Sequence, residues 1–270
     1  MNTSFDPQKA ITSAKRFLTG QLLQSGLDGY VIGLSGGIDS ALSATLAVAA
    51  VGPEKVYGVL MPYKTSSDSS LADASKLVVQ LGIEHRTVDI SPMIHAYYGE
   101  TIDAETRLRA GNKMARERMS ILFDIAHQMN RLVLGTGNRT EICLGYTTLY
   151  GDSACSVNPI GEFYKTEVRL LSRELNVPDS IITKPPSADL WVDQTDEGEI
   201  GVTYDDIDRI LGHLIDKGVT SMNELEAAGL NKVDVSRVVS LLNRNAFKRR
   251  LPPIAPIGRT PVPEHIDLDA

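Results

Sequence analysis

The chain has 270 residues, 42% of them hydrophobic and 23% charged, enough to bury a sizeable core in one large domain or one domain with a small appendage. A formal net charge of -7 argues against a general nucleic-acid binder, which needs a net basic face to neutralise phosphates. Cys143 and Cys155 are too few for a disulfide framework and lack zinc-site spacing; residues 1–15 show no secretory signal and no stretch approaches a bilayer span, so a cytoplasmic protein without a membrane partner is expected.

In chain order, apolar residues at helical spacing predict a helix over 7–23, entered through Asp6-Pro7. Residues 29–34 read as a short buried strand running into a glycine turn, and 41–51 as an alanine-rich helix. The unit then repeats: strand 56–61, helix 69–81, strand 84–90, long helix 104–129, strand 132–135. Such alternation predicts an α/β fold, an open, mostly parallel, doubly wound sheet with helices on both faces and ligands at the carboxyl ends of the strands. Beyond Asn138 the pattern is irregular to Pro159, with helices near 165–174, 205–215 and 233–245. Residues 184–200, with two prolines, several acids and Trp191, read as a functional surface loop, and 251–270 as a proline-rich, poorly packed tail.

The strongest local signal is the loop after the first strand. Gly36 and Gly37 let backbone N–H groups approach an anion, the next helix aims its N-terminal partial charge at the same point, and Ser35 and Ser40 add hydroxyls. It is neither a Walker loop nor the dinucleotide fingerprint. Asp39 would repel a phosphate unless a divalent cation lay between them, which predicts Mg2+. Taken alone, the loop also fits a plain strand-to-helix turn in which Asp39 stabilises the helix start.

The octet Gly33-Leu34-Ser35-Gly36-Gly37-Ile38-Asp39-Ser40 resembles the pyrophosphatase loop shared by GMP, asparagine, argininosuccinate and NAD synthetases and tRNA-thiolating enzymes. Further stretches resemble NAD synthetases in particular: Ala115-Arg116-Glu117-Arg118-Met119, Gly135-Thr136-Gly137-Asn138-Arg139-Thr140-Glu141, Tyr164-Lys165-Thr166-Glu167, Lys184-Pro185-Pro186-Ser187-Ala188-Asp189-Leu190, Gln194-Thr195-Asp196-Glu197 and Gly201-Val202-Thr203-Tyr204. They run in order over most of the chain, and the resemblance implies one synthetase-like domain over residues 1–250.

The resemblance implies an ATP site of Gly33, Ser35, Gly36, Gly37, Asp39, Ser40, Thr136, Lys165 and Ser187, with Asp39 and Glu141 as Mg2+ ligands and Asp39 and Lys165 in the catalytic role. Two carboxylates suit a Mg2+ that also holds phosphate oxygens, and Lys165 would be a point charge for leaving pyrophosphate. Arg116 occupies a family position that contacts the dinucleotide, with Arg118 next in register. Three positions depart from the better-known pattern: Leu149 stands for a lysine, Ser156 for an acid and Phe247 for a histidine. Asp152, Asn158 and Lys248 are therefore expected to read the substrate. The implied reaction joins deamido-NAD and ammonia at the cost of ATP, in a homodimer. Position 2 is Asn2, and both cysteines lie inside synthetase motifs, so free ammonia is the expected nitrogen source unless a separate glutaminase subunit supplies it. A tRNA-modifying member of the wider group is the rival, disfavoured by the acidic balance and unpaired cysteines.

Overall fold

A computed structural model describes residues 5–187, 195–255 and 257–258. Ala188, Asp189, Leu190, Trp191 and Gln194 of the predicted loop, and most of the predicted tail, lie outside the described residues.

Helix α1 (Pro7–Ser25) starts where Asp6 accepts from the amides of Gln8 and Lys9, at 3.0 and 3.1 Å, with Pro7 in the first turn; it ends at Gly26 in the left-handed region. The next elements are β1 (Tyr30–Gly33), α2 (Ile38–Val51), β2 (Val56–Leu60), α3 (Asp68–Leu81), β3 (Glu84–Thr87), α4 (Ser91–Tyr98), α5 (Arg107–Gln128) and β4 (Leu132–Val133). Then come α6 (Arg139–Leu144), α7 (Lys165–Glu174), α8 (Asp179–Ile182), α9 (Asp196–Ile200), α10 (Tyr204–Leu211), α11 (Met222–Ala227) and α12 (Lys232–Arg244).

The four strands lie in the order β3-β2-β1-β4 and every pairing is parallel, with Tyr30 opposite both Val56 and Leu132. The chain steps outward from β1 through β2 to β3, then returns to the other side of β1. The loops that follow β1 and β4 therefore leave the sheet in opposite senses and open a crevice between them, the switch point where such sheets take ligands.

Strand alternation explains the covering of both faces. Tyr30 and Ile32 pack with Leu18 of α1, Leu42 and Leu46 of α2, and Leu171 of α7. Val31, Val59 and Val133 point the other way, against Ile94 of α4 and Met114 and Ile125 of α5. A further apolar cluster holds Leu144 of α6 and Tyr164 against Tyr204, Ile207 and Leu211 of α10 and Val235 and Val238 of α12. Helices α10 and α12 thus hold the C-terminal end of α6 and the residue that precedes α7.

The expected doubly wound arrangement is present, with differences at the ends of elements. The third strand stops at Thr87: Asp89 accepts from the Ser91 amide at 2.8 Å, and Ser91-Pro92 begins α4, too short for its apolar period to stand out. Helix α2 begins at Ile38, three residues earlier than its alanine run implies, which brings Asp39 into its first turn. The predicted 205–215 helix becomes α10 followed by a π-turn over Gly212–Asp216.

Candidate active site

The loop between β1 and α2 is built by exclusion of side chains. Gly36 has φ +78°, and a Cβ there would lie 2.2 Å from the Ser70 carbonyl oxygen, so conformation and space both demand glycine. Ser35 Oγ accepts from the Gly37 amide at 3.2 Å, and Ser40 Oγ donates to the Gly37 carbonyl at 2.9 Å. Gly37, the N-cap, supplies no side chain to the first turn of α2, whose free N–H groups favour an anion.

Across the crevice, Asn138 follows β4, is fully buried and caps α6: its Oδ1 accepts from the Glu141 amide at 3.0 Å, while Glu141 Oε2 accepts from the Asn138 amide at 3.3 Å. Asn138 Nδ2 then donates to Asp39 Oδ1 at 2.8 Å, joining the two loops. Lys165, the first residue of α7, closes the arrangement with Nζ 2.5 Å from Asp39 Oδ2 and 3.2 Å from Glu141 Oε1.

Lys165 is 2% exposed, and Asp39 and Glu141 are 18% and 17% exposed at the open side. Burial alone would lower the Lys165 pKa; Asp39 and then Glu141 more than offset it, so the ammonium stays charged. Burial pushes the Glu141 carboxyl above the usual carboxylate range, with Lys165 opposing the rise and Asp39 adding to it. The ammonium thus stands between two carboxyl groups at the N-terminal end of α2.

The structure adds residues to which the sequence reading assigned no role. Asp196, 5% exposed, accepts from the hydroxyls of Tyr146 at 3.2 Å and Tyr204 at 3.1 Å. The Lys165 ammonium stands 5.1 Å from the centroid of the Tyr204 ring, a cation–π contact. Burial raises the Asp196 pKa, against the pull of Lys165 and both hydroxyls. The sequence predicts a surface loop over 184–200, whereas Asp196 begins the short helix α9 and reaches the Lys165 neighbourhood through Tyr204 of α10, which packs against α7.

The remaining predicted residues divide by location. Thr136 lies half-buried in the loop leaving β4, and Ser187 is exposed at the end of a described stretch. Lys184, three residues earlier, donates to Ser70 Oγ at 2.7 Å, beside the Gly36 contact, so this stretch runs near the loop. Gly33 ends β1 beneath Met61 and Leu122, which a Cβ there would meet at 3.2 and 3.3 Å.

Arg116 stands apart, with Nε donating to the Leu149 carbonyl at 3.2 Å. It lines a cavity of about 400 Å³ with Tyr97, Tyr98, Arg109, Asn112 and Lys113. Arg118 Nε instead donates to the Met61 carbonyl at 3.0 Å. Asp152 accepts from the Thr148 amide at 2.7 Å and Thr147 Oγ1 at 2.6 Å, Asn158 Nδ2 donates to the Gly137 carbonyl at 2.8 Å, and Lys248 donates to the carbonyls of Gly145 at 2.8 Å and Thr147 at 2.7 Å. All three predicted readers of substrate therefore organise backbone around Arg116 and the β4 loop. Of the departing positions, Ser156 Oγ accepts from the Val133 amide at 3.0 Å and pins β4, whereas Phe247 is 59% exposed.

The NAD synthase family model matches residues 10–252, which contain the loop, Asp39, Glu141 and Lys165. The chain belongs to the NAD synthase family. It is 49% identical over 243 residues to an NH(3)-dependent NAD(+) synthetase of Fusobacterium nucleatum subsp. nucleatum, covering 90% of this chain and 93% of the relative. Among solved structures, the NMN synthetase of Francisella tularensis superposes with a TM-score of 0.80 at 35% identity, covering 94% of this chain and all (100%) of that one. The NH3-dependent NAD synthetase of Campylobacter jejuni, in complex with nitrate ion, gives 0.79 at 34% identity with the same coverage. The crevice between β1 and β4 and the Arg116 cavity on α5 both lie within the stretch that the family model matches.

Proposed function

We propose that the chain makes NAD from deamido-NAD and ammonia while cleaving ATP to AMP and pyrophosphate. The observation that carries this reading is the Lys165 ammonium between Asp39 and Glu141, beside the uncapped N-terminus of α2. A carboxylate does not react with ammonia near neutral pH, because its carbon is electron-rich and oxide cannot leave. Its oxygen attacks the α-phosphorus of ATP, the bond to the β-phosphate breaks, and an acyl-adenylate forms. Ammonia then adds to the carbonyl carbon, AMP departs with the former carboxylate oxygen, and the added nitrogen loses a proton.

The residues act by position and charge. The amides of the Ser35–Ser40 loop and the α2 N-terminus hold phosphate oxygens, and Lys165 neutralises the departing pyrophosphate. The donor set fits Mg2+, which takes one or two carboxylates plus substrate phosphates and waters. Asp39 and Glu141 would hold it, and it would supply charge neutralisation at the phosphates. Thr136 and Ser187 complete the phosphate surroundings. Arg116, with Arg109 and Lys113 around the same cavity, offers cations for the phosphates of the acceptor dinucleotide. Asp152, Asn158 and Lys248 serve the acceptor by shaping that wall. Exposed Tyr97 and Leu108, each 67% exposed, and Phe123, 39% exposed, lie on α4 and α5 and support a homodimer through this face. The free cysteines fit a reducing cytosol.

The test is incubation with ATP, Mg2+, deamido-NAD and either ammonium or glutamine, measuring NAD and AMP. NAD formation with ammonium and not with glutamine is expected, and no NAD with ammonium overturns the reading. A parallel arm with nicotinate mononucleotide is warranted because Leu149, Ser156 and Phe247 carry no charge where the family pattern has ionic groups. Turnover of the mononucleotide alone moves the acceptor assignment and leaves the activation chemistry in place.

A further inference from the structure

Glu141 and Lys165 stand in the first turns of two different helices, and the separation of their side chains depends on how those helices are held together. Tyr164, the N-cap of α7, makes no side-chain cap bond, and its hydroxyl points to Asp216 at 3.0 Å. The first two amides of α7 are satisfied from outside the helix. The Lys165 amide donates to Thr140 Oγ1 at 2.9 Å, and the Thr166 amide donates to Asp208 Oδ2 at 2.8 Å. Thr140 Oγ1 in turn donates to Asp208 Oδ1 at 2.5 Å. Thr140 is fully buried and Asp208 is 7% exposed.

With Asp208 ionised, the direction of each bond is set. A hydroxyl has one hydrogen and a backbone amide can only donate. The Thr140 hydrogen goes to the carboxylate, which leaves an oxygen lone pair for the Lys165 amide. Asp208, on α10, thus accepts from the residue before Glu141 and from the residue after Lys165. Removing either the hydroxyl or one carboxylate oxygen leaves a buried amide without its acceptor and frees α7 to shift relative to α6.

We propose that Asp208, acting through Thr140, is a positioning residue for the reaction: it fixes the place at which the Lys165 ammonium meets Glu141 and Asp39. The inference rests on the reaction proposed above. Asp208 touches no reacting atom; its effect is the registry of two first turns that do. A displacement of about 1 Å in such a group costs on the order of 100-fold in rate.

The experiment compares Thr140→Ser, Thr140→Val and Asp208→Asn in the full chain by kcat and KM for ATP in NAD formation, with thermal midpoints alongside. Serine keeps the hydroxyl, valine keeps the shape without it, and asparagine replaces one acceptor oxygen with a donor. Thr140→Val and Asp208→Asn are expected to lower kcat by roughly 10- to 100-fold with KM for ATP within about threefold, while Thr140→Ser stays within about threefold of the parent in both. A Thr140→Val protein with parental kcat overturns the proposal, as does a serine variant impaired as much as valine, which would assign the effect to packing. If Asp208→Asn does not fold, the Thr140 pair decides. An inactive parent chain would mark failure of the proposed reaction instead. A crystal structure of Thr140→Val reads the brace independently of turnover: loss of the Lys165–Glu141 hydrogen bond supports it, and an unmoved ammonium overturns it.

Discussion

Lys165 Nζ lies 2.5 Å from Asp39 Oδ2, a carboxylate 126 residues earlier in the chain, and the same ammonium reaches Glu141 Oε1 at 3.2 Å. With Lys165 2% exposed, this cation is both part of the core and the electrostatic centre of the crevice.

Replacing Lys165 with methionine tests both roles at once. The change keeps the length of the side chain but leaves Asp39 and Glu141 facing each other without a cation. Breaking one side of a buried ion pair costs on the order of 3 kcal/mol at neutral pH, and loss of a charge-stabilising donor lowers turnover by about 100- to 1000-fold. Chemical denaturation should show the deficit shrinking as pH falls, as a carboxyl takes up a proton. An equal deficit at all pH values would show that the two carboxylates are not coupled through Lys165.

Glu141 gives a prediction about pH. Burial raises its carboxyl above the usual carboxylate range in the folded protein, with Lys165 opposing and Asp39 reinforcing the rise. A raised folded pKa favours the protonated form. Its contribution to stability is therefore fully present below the unfolded carboxylate pKa and is lost as pH rises through the folded value. Glu141→Gln mimics the neutral acid, so without Mg2+ the variant should gain thermal stability relative to the parent as pH rises above the ordinary carboxylate range. On the proposed role of Glu141 at Mg2+, adding Mg2+ and ATP should reverse the order, because a metal ligand must be ionised. A stability difference independent of pH in the metal-free proteins would sink this account.

What was legible in the sequence follows from which contacts are local. The Ser35–Ser40 loop combines a strand end, two glycines and a helix start within a few residues, and the order β3-β2-β1-β4 places Asp39 and Glu141 on either side of one crevice. The alternation of elements in the sequence implied a parallel sheet with ligands at the carboxyl ends of its strands, while the strand order comes from the structure. Asp208 was not legible. It shares a helix turn with Asp205 and Asp206, which are 69% and 46% exposed, and nothing in the run of acids tells which one turns inward. Asp196 and Tyr204 were hidden for a related reason: their contacts with each other and with Lys165 depend on how α9, α10 and α7 pack. Asp152, Asn158 and Lys248 show the converse, residues noticed through a motif whose side chains hold backbone in place.

Gly36 permits a test of the loop with an internal control. Gly36→Ala meets a positive φ and a Cβ position 2.2 Å from the Ser70 carbonyl. The left-handed conformation alone costs about 1–2 kcal/mol for a non-glycine residue, and relief of the clash must move α3 away from the loop. Loss of stability by more than that amount and loss of ATP binding are expected by denaturation and calorimetry. Gly20 in α1 has no neighbour within 4 Å of its Cβ position, so Gly20→Ala should instead add up to about 1 kcal/mol and leave ATP binding unchanged. Intact ATP affinity in Gly36→Ala would count against the loop as the phosphate cradle.

Arg116 lies apart from the crevice of Asp39 and Lys165. Its guanidinium reaches the Leu149 carbonyl and lines the cavity that also holds Arg109 and Lys113, whereas ATP is assigned to the crevice of Asp39 and Lys165. Arg116→Ala should raise KM for deamido-NAD by roughly 10-fold or more, the scale of a lost charge-assisted hydrogen bond, with KM for ATP nearly unchanged. The effect should weaken as salt is raised, since added ions screen the exposed cations of that cavity in the parent as well. Lysine in place of Arg116 should recover only part of the affinity, because a point charge cannot reproduce a planar fork of donors. A parallel rise in KM for both substrates would mean that Arg116 supports the fold of α5 and the 147–152 turn, and that the acceptor is read elsewhere.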